Sequence, residues 1–413
     1  MPAQKNHFDA KKRSPLLMSI ILVAAACAVH GVMQRVHDNY GIMMKGIIPY
    51  TGIDYASVSF CIGAGALVYG IAQPFWGMLA LKKSNVFVII LGIAFTVIGL
   101  VFTPICKNTL MLLLFFGLIL PFGTAGLCFG IIMGAITPIL GEKRAAAASG
   151  IVQASAGIGD ALMSPALDMT ISKFNIAVAI RMLTIPFLIM IPIAMWISSV
   201  NKRSAVRETT EHADNKNGSL LSMVRSALKD RDYRLLVISF ATCGFNMSII
   251  ESHLFSQYIS YVISGSTASL TLTVYGIATM IGAAGTGFLG TRFSMKNILG
   301  CVYAVRVVIS LGFLLLPKSV VFAFAATALL GLSGDATVPP TSGIISKKFG
   351  SKSMAVLYGF TLIGHQAGAF LSAYLGGFFV DRGAGYAPLW LINLCLAAVA
   401  STASFLIRKE NKQ

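Results

Sequence analysis

Residues 30–40 read His30-Gly31-Val32-Met33-Gln34-Arg35-Val36-His37-Asp38-Asn39-Tyr40, and they continue an apolar run that begins at Leu16 and is long enough to cross a bilayer. A charge at that depth costs a few kcal/mol or more unless it is paired or wetted, so ionisable groups kept there are functional candidates. At 3.6 residues per turn His30, Gln34, His37 and Asp38 share one stripe, and Arg35 stands three residues before Asp38, close enough to pair with it. Such a stripe suits the polar wall of a solute path. Asp38 would take up and release a proton, and His30, Gln34, Arg35 and His37 would contact substrate.

Three further stretches carry polar groups at helical spacing. Gln153, Gly157, Asp160, Ser164 and Asp168 follow one another at three or four residues. Asp160 lies roughly 22 Å along its segment, a depth at which a carboxyl serves as a proton carrier or as a neutral brace against the first segment. Asp168, nearer the outer face, is expected to be solvated. Asn246, His253 and Gln257 form a second stripe, with Glu251 on the adjoining face beside Ser248 and Tyr258. Matching Gly244 to Gly31 sets Glu251 opposite Asp38, as a second proton-coupling acid or as the closure of an outer gate, with Asn246 and His253 as substrate contacts. Tyr358, Thr361, His365, Gly368 and Ser372 form the third stripe. His365, at mid-depth, donates when protonated and accepts when neutral, and is either a substrate contact or a satisfied packing residue. Arg306 and Asp335 fall at matching depth in adjacent segments and are expected to form a buried structural ion pair.

Composition determines what must hold these groups. The chain has 413 residues, 56% hydrophobic and 11% charged, with net charge +17, where soluble domains carry roughly a quarter charged residues. The basic residues sit in short clusters between apolar runs rather than on one soluble face, which argues against a nucleic-acid partner. The seven cysteines lie in or beside apolar segments without metal-type spacing. No GxxxxGK[ST] phosphate loop occurs, and His30 and His37 are not spaced as HExxH. No catalytic residue, metal site or cofactor is expected, and the first apolar run is too long for a cleavable signal peptide.

Apolar runs of spanning length predict α1 at about 16–44, α2 at 56–80, α3 at 86–105, α4 at 109–140, α5 at 145–171 and α6 at 177–199. The second set is α7 at about 235–263, α8 at 267–290, α9 at 298–316, α10 at 320–345, α11 at 354–380 and α12 at 387–407. The expected organisation is a cytoplasmic tail at 1–14, a six-helix bundle at 15–199, a cytoplasmic connector at 200–234, a second bundle at 235–407 and a tail at 408–413. Within the connector, Ser219 to Lys229 has the pattern of a short amphipathic helix on the membrane surface. Most Lys and Arg fall in the two tails, the connector and the even-to-odd turns, so both termini are expected to be cytoplasmic. Gly134, Gly141, Gly150 and Gly159 each have a glycine 209 residues later, at Gly343, Gly350, Gly359 and Gly368. This predicts an all-α polytopic membrane protein of twelve helices in two pseudo-symmetric bundles.

The turns GMLALKKSNV after α2 and GFLGTRFSMK after α8 occupy the place of the gating-loop signature of the major facilitator superfamily, which the whole chain resembles. Gly77, Lys82, Lys83, Gly287 and Arg292 are the gating-loop residues on that resemblance, although the signature's acidic position holds Leu81 in one half and Thr291 in the other. LVYGIAQPFWG, YAVRVV, GDATVPPT, YGFTLIGHQAGAF and DRGAGY together resemble the branch of monocarboxylate and oxalate/formate carriers. The resemblance implies a cavity lined by α1, α2, α4, α5, α7, α8, α10 and α11, with the other helices bracing it. It also implies a proton-coupled secondary transporter, monomeric in the inner or plasma membrane, moving a small organic carboxylate by alternating access. A polycarboxylate or zwitterionic metal chelator such as a siderophore is the alternative substrate, followed by export of drugs or metabolites. A transporter-like sensor is the non-transport alternative.

Overall fold

The computed structural model describes residues 15–140, 142–205 and 220–408. The described residues build twelve helical rods. In the first half α1 comprises Pro15–Asp38 and Tyr40–Thr51, α2 is Tyr55–Lys82, α3 is Asn85–Phe102, α5 is Glu142–Lys173, and α6 comprises Ile176–Met182 and Thr184–Ala205. Between α3 and α5, α4 runs as Thr109–Leu112, a π-helical stretch Leu113–Ile119, then Leu120–Ala125 and Phe129–Leu140. In the second half α7 is Arg231–Ser248, a π-helical stretch Ile249–Leu254 and Phe255–Ser260, α8 is Gly265–Leu289 and α9 is Met295–Leu315. α10 is Val320–Ser333, a 3₁₀ turn Asp335–Thr337 and Val338–Phe349, followed by α11 at Ser351–Asp381 and α12 at Ala387–Leu406. Among the described residues, nine helices are long and apolar enough to cross a membrane. α1 begins and α12 ends on one face of the molecule, the tail face; the opposite one is the far face.

Local sequence starts and stops the rods. Asp54, Ser84, Asn108, Asn175 and Ser264 each accept a hydrogen bond from the third residue of the helix they precede, filling a donor that the helix geometry leaves free. α1 ends on Gly52 at φ 73°, in the left-handed region that glycine adopts without penalty. Leu220–Lys229 forms the expected amphipathic helix, with Ala227 buried and Met223 and Val224 packed against the second bundle's core.

The repeat is visible in matched environments. A Cβ on Gly134 of α4 would meet the Asn85 side chain at the start of α3, and one on Gly343 of α10 would meet Met295 at the start of α9. α2 lies along α11, and α5 along α8, and these contacts, with that of α1 on α7, join the halves. Close approach there depends on small residues. A Cβ on Gly63 would lie 3.0 Å from Phe370, one on Gly157 would run into the Gly276 carbonyl, and one on Gly377 would lie 2.5 Å from Ser59.

Candidate functional site

Four rods related by the repeat, α1, α4, α7 and α10, are interrupted along their length, whereas α6 is interrupted only near its start, at Leu183. α1 breaks at Asn39, whose side-chain oxygen accepts from Ser164 Oγ of α5 at 2.7 Å. Beside it lies the π-helical stretch of α7, for a Cβ on Gly41 would meet the carbonyls of Ser252 and Glu251 at 3.1 and 3.2 Å. In α4, Gly126 N–H turns back to Gly123 O, which leaves the Phe122 carbonyl free to accept from the Trp76 indole at 2.8 Å. In α10 the cause is written in the sequence. Pro339 and Pro340 have no N–H for the carbonyls four residues earlier, those of Asp335 and Ala336, so the helix tightens into a 3₁₀ turn. Just before that turn, the carbonyls of Ser333 and Gly334 accept from Arg306 Nη2 of α9, at 2.5 and 2.9 Å.

Toward the far face the two halves are bonded together. Tyr55 Oη of α2 lies 2.9 Å from His253 Nδ1 of α7 and 3.3 Å from Tyr386 Oη. His253 Nε2 stands 3.0 Å from the Ala373 carbonyl, so that nitrogen carries the proton and Nδ1 of the neutral ring accepts from Tyr55. The Ala56 N–H at the start of α2 donates to Asp381 of α11 at 2.8 Å. Next to it, hydrogen bonding by Ser57, opposed by partial burial, holds the Asp54 carboxyl below the usual range. Lys45 of α1 pairs with Asp168 of α5 at 3.2 Å, and Gly265 at the start of α8 rests on that pair. Toward the tail face several glycines of α2, α5, α8 and α11 are uncrowded. A Cβ placed on Gly77, Gly150, Gly285 or Gly359 would meet no atom of the described residues within 4 Å. Among the described residues, the hydrogen bonds between the halves thus gather toward the far face.

At mid-depth, polar atoms lack partners. Among the described residues, neither side-chain amide atom of Asn246, which is 1% exposed, finds a hydrogen bond, and neither does Nδ1 of His365. His365 is half-buried, with its ring 4.9 Å from Phe240. An amide that donates and accepts and an imidazole that does either suit a small polar solute. Glu251 is half-buried in the π-helical stretch of α7. The side chains of Gln34, Arg35, His37, Asp38 and Asp160 lie outside the described residues.

Several sequence expectations are corrected. His30 is 2% exposed and packs edge-on against Phe129 at 5.7 Å, with Nδ1 lacking a hydrogen-bond partner among the described residues. His253 has both ring nitrogens engaged in the far-face seal, because the π-helical stretch adds a residue to the turn and takes it off the Asn246 stripe. Arg306 and Asp335 form no salt bridge with each other; backbone carbonyls at the α10 break hold the guanidinium instead. Asp168 is buried and paired, not solvated. Lys82, Lys83 and Arg292 stand at the tail face, Arg292 lying over the Phe288 ring at 5.1 Å, while a Cβ on Gly287 would come no nearer than 4.0 Å to Pro339. Tyr55, Tyr386 and Asp381 carry no signal at helical spacing, since their roles exist only where α2, α7 and α11 converge.

Residues 16–262 match the family model of the Major Facilitator Superfamily, and the chain belongs to that superfamily. It is an integral membrane transporter of this class and not an enzyme. The uncharacterized MFS-type transporter YcxA of Bacillus subtilis (strain 168) is 29% identical over 200 residues, which are 45% of this chain and 47% of that protein. The chain thus matches about half the length of that relative. Monocarboxylate transporter 12 of Xenopus laevis is 23% identical over 332 residues, 74% of this chain and 70% of that protein. Among solved structures the nucleoside transporter NupG superposes with a TM-score of 0.75 at 14% identity, covering 94% of this chain and 98% of that one. A D-xylose-proton symporter superposes with a TM-score of 0.70 at 10% identity, covering 96% and 98%. These likenesses establish the fold alone.

Proposed function

We propose that the chain is a proton-coupled secondary transporter that moves a small organic carboxylate by alternating access. The observation that carries this proposal is the contrast along the seam between the halves. Hydrogen bonds of α2 to α7 and α11 join the halves at the far face, Gly77, Gly150 and Gly359 toward the tail face are uncrowded, and unpartnered groups of Asn246 and His365 lie between. A carrier must hold its solute site at the bundle interface and close one side at a time, and this arrangement meets both needs. Carboxylate is favoured over a neutral solute by the likeness to a protein named as a monocarboxylate transporter and by the imidazole and amide donors at mid-depth. Asp38, Asp160 and Glu251 are the proposed proton-coupling acids, with Gln34, Arg35 and His37 beside them on the substrate path. The tail face is cytoplasmic, so the state described faces inward, in an inner or plasma membrane, as a monomer.

The test is uptake by proteoliposomes under an imposed proton gradient, with labelled acetate, lactate and pyruvate as probes and a nucleoside and a pentose as neutral controls. A carboxylate should accumulate about tenfold per pH unit, the 1.4 kcal/mol that one unit supplies. Gradient-driven accumulation of the nucleoside or pentose alone would overturn the substrate class. Binding without accumulation of any probe would leave a sensor.

A further inference from the structure

The tail-face corner where the connector helix Leu220–Lys229 meets α7 carries positive charge that the protein itself does not use. Arg225 and Lys229 of that helix and Arg231 and Arg234 in the first turn of α7 are all exposed. Arg408, just past α12, is exposed beside them, its backbone N–H 3.4 Å from Asp232 Oδ1. Among the described residues these side chains make no hydrogen bond, ion pair or ring contact. The two acids of the corner do not neutralise them. Asp230 and Asp232 both pair with Lys348 at the end of α10, Asp230 at 2.8 Å, and the Asp232 side chain is 4% exposed. Two other tail-face cations of this half are also occupied: Lys296 Nζ donates to the carbonyls of Phe405 and Ile407 at 3.0 and 2.6 Å, and Arg292 lies over the Phe288 ring.

The depth of the corner identifies what it meets. α7 runs for 30 residues, Arg231–Ser260, or about 45 Å at 1.5 Å per residue, whereas a hydrocarbon core is about 30 Å thick. Shared between the two ends, the surplus sets roughly the first five residues of α7 at the level of the lipid headgroups. Arg231 and Arg234 lie in that turn, and Ile238, one turn deeper than Arg234 on the same flank, is 48% exposed. Leu406, 52% exposed, repeats the arrangement below Arg408 on α12. Cations thus stand directly above apolar side chains open to lipid. The connector helix adds charge to this corner but no insertion. Ala227 is buried and Met223, Val224 and Leu228 pack against the second bundle's core, so its apolar flank is taken up by protein. Arg225 and Lys229, one turn apart, project from the opposite flank.

We propose that this corner is a docking site for the headgroup of an anionic phospholipid in the leaflet at the tail face. Arg231 and Arg234 hold the phosphate, whose oxygens match the guanidinium fork, and Arg225, Lys229 and Arg408 supply the surrounding positive field. A lipid bound here moves with the second half, because Asp232 ties the start of α7 to Lys348 of α10 and to the end of α12.

Titration of the detergent-solubilised full chain with fluorescent phosphatidylglycerol, against phosphatidylcholine as the zwitterionic reference, tests the assignment. Wild type should bind phosphatidylglycerol at least tenfold more tightly, and the preference should shrink as salt screens the charges. Equal binding of the two lipids overturns the proposal. Arg231→Gln/Arg234→Gln should lower the preference roughly tenfold or more, since each cation near the surface is worth about fivefold. Lys83→Gln/Arg292→Gln removes two tail-face cations elsewhere and should leave the preference unchanged; an equal loss there would mean a diffuse field and no site. Displacement of the lipid by millimolar inorganic phosphate at constant ionic strength would make this a free-anion site and likewise overturn the assignment. Should the α7 variant fail to fold, Arg225→Gln/Lys229→Gln leaves the spanning helix intact and should still lower the preference about fivefold or more. An unchanged preference in that variant also counts against the site.

Discussion

The breaks in α4 and α10 are the same event in two halves of one repeat, solved with different chemistry. The 209-residue offset sets Asp335 on Gly126. In each half a carbonyl at the break is taken up by a donor from a neighbouring helix of the same bundle. In α4 that donor is the neutral Trp76 indole, and the position of the acid holds a glycine whose Cβ would crowd Gly92 at 3.2 Å. In α10 it is the Arg306 guanidinium, with an acid one residue beyond the accepting carbonyls. Backbone geometry alone therefore needs no charge at a break of this kind, as α4 demonstrates. The charge in α10 is thus not a requirement of the break itself.

The largest expected effect comes from removing the charged donor. Arg306→Ala strips the Ser333 carbonyl of its charged donor and leaves the Gly334 carbonyl only the long bond from Thr337 Oγ1, and should lower unfolding free energy by about 3 kcal/mol, read by denaturation in detergent. Trp76→Phe removes a single neutral hydrogen bond and should cost about 1–2 kcal/mol by the same measurement. Equal losses in the two variants would mean that the charge adds nothing to the α10 break and would erase the contrast between the halves. The smallest effect is expected at the tail-face end of α10, away from its break. Burial pushes the Asp230 carboxyl up, but hydrogen bonds and charge from Lys348 outweigh it and hold the group below the usual range. A depressed carboxyl stabilises the fold above its unfolded value, roughly 3.9, and that contribution fades as pH falls through the lower folded value. Asp230→Ala, which also removes the cap of α7, should thus cost about 1 kcal/mol at neutral pH. The gap to wild type should stay flat down to about pH 5 and narrow only below about pH 4. A gap that varied between pH 5 and 8 would place a second titrating group at this end of α10.

How much of the molecule is legible in the chain depends on the range of the interaction involved. The α10 interruption follows from Val338-Pro339-Pro340, since two adjacent residues without N–H deny partners to carbonyls one turn earlier, and no tertiary information is needed. The matched glycines likewise announce the repeat. His253 departs from its expected stripe for a definite reason: a stripe drawn at 3.6 residues per turn fails once a π-helical stretch intervenes, and nothing in Ile249-Ile250-Glu251-Ser252-His253-Leu254 marks one. Asp168 departs from solvated to paired because its partner Lys45 is 123 residues away, beyond the reach of any local pattern.

From the chain alone came the membrane class, the twelve segments, the twofold repeat and the depth of each polar group, because hydropathy, proline and glycine act within a turn or two of themselves. Only the folded arrangement decided which polar groups share a partner: Tyr55 with His253, Asp381 with the start of α2, Arg306 with backbone carbonyls and not with Asp335. Depth is a property of one helix. Pairing depends on the rotation of two helices about their own axes, and that is set by the packing of every neighbour at once.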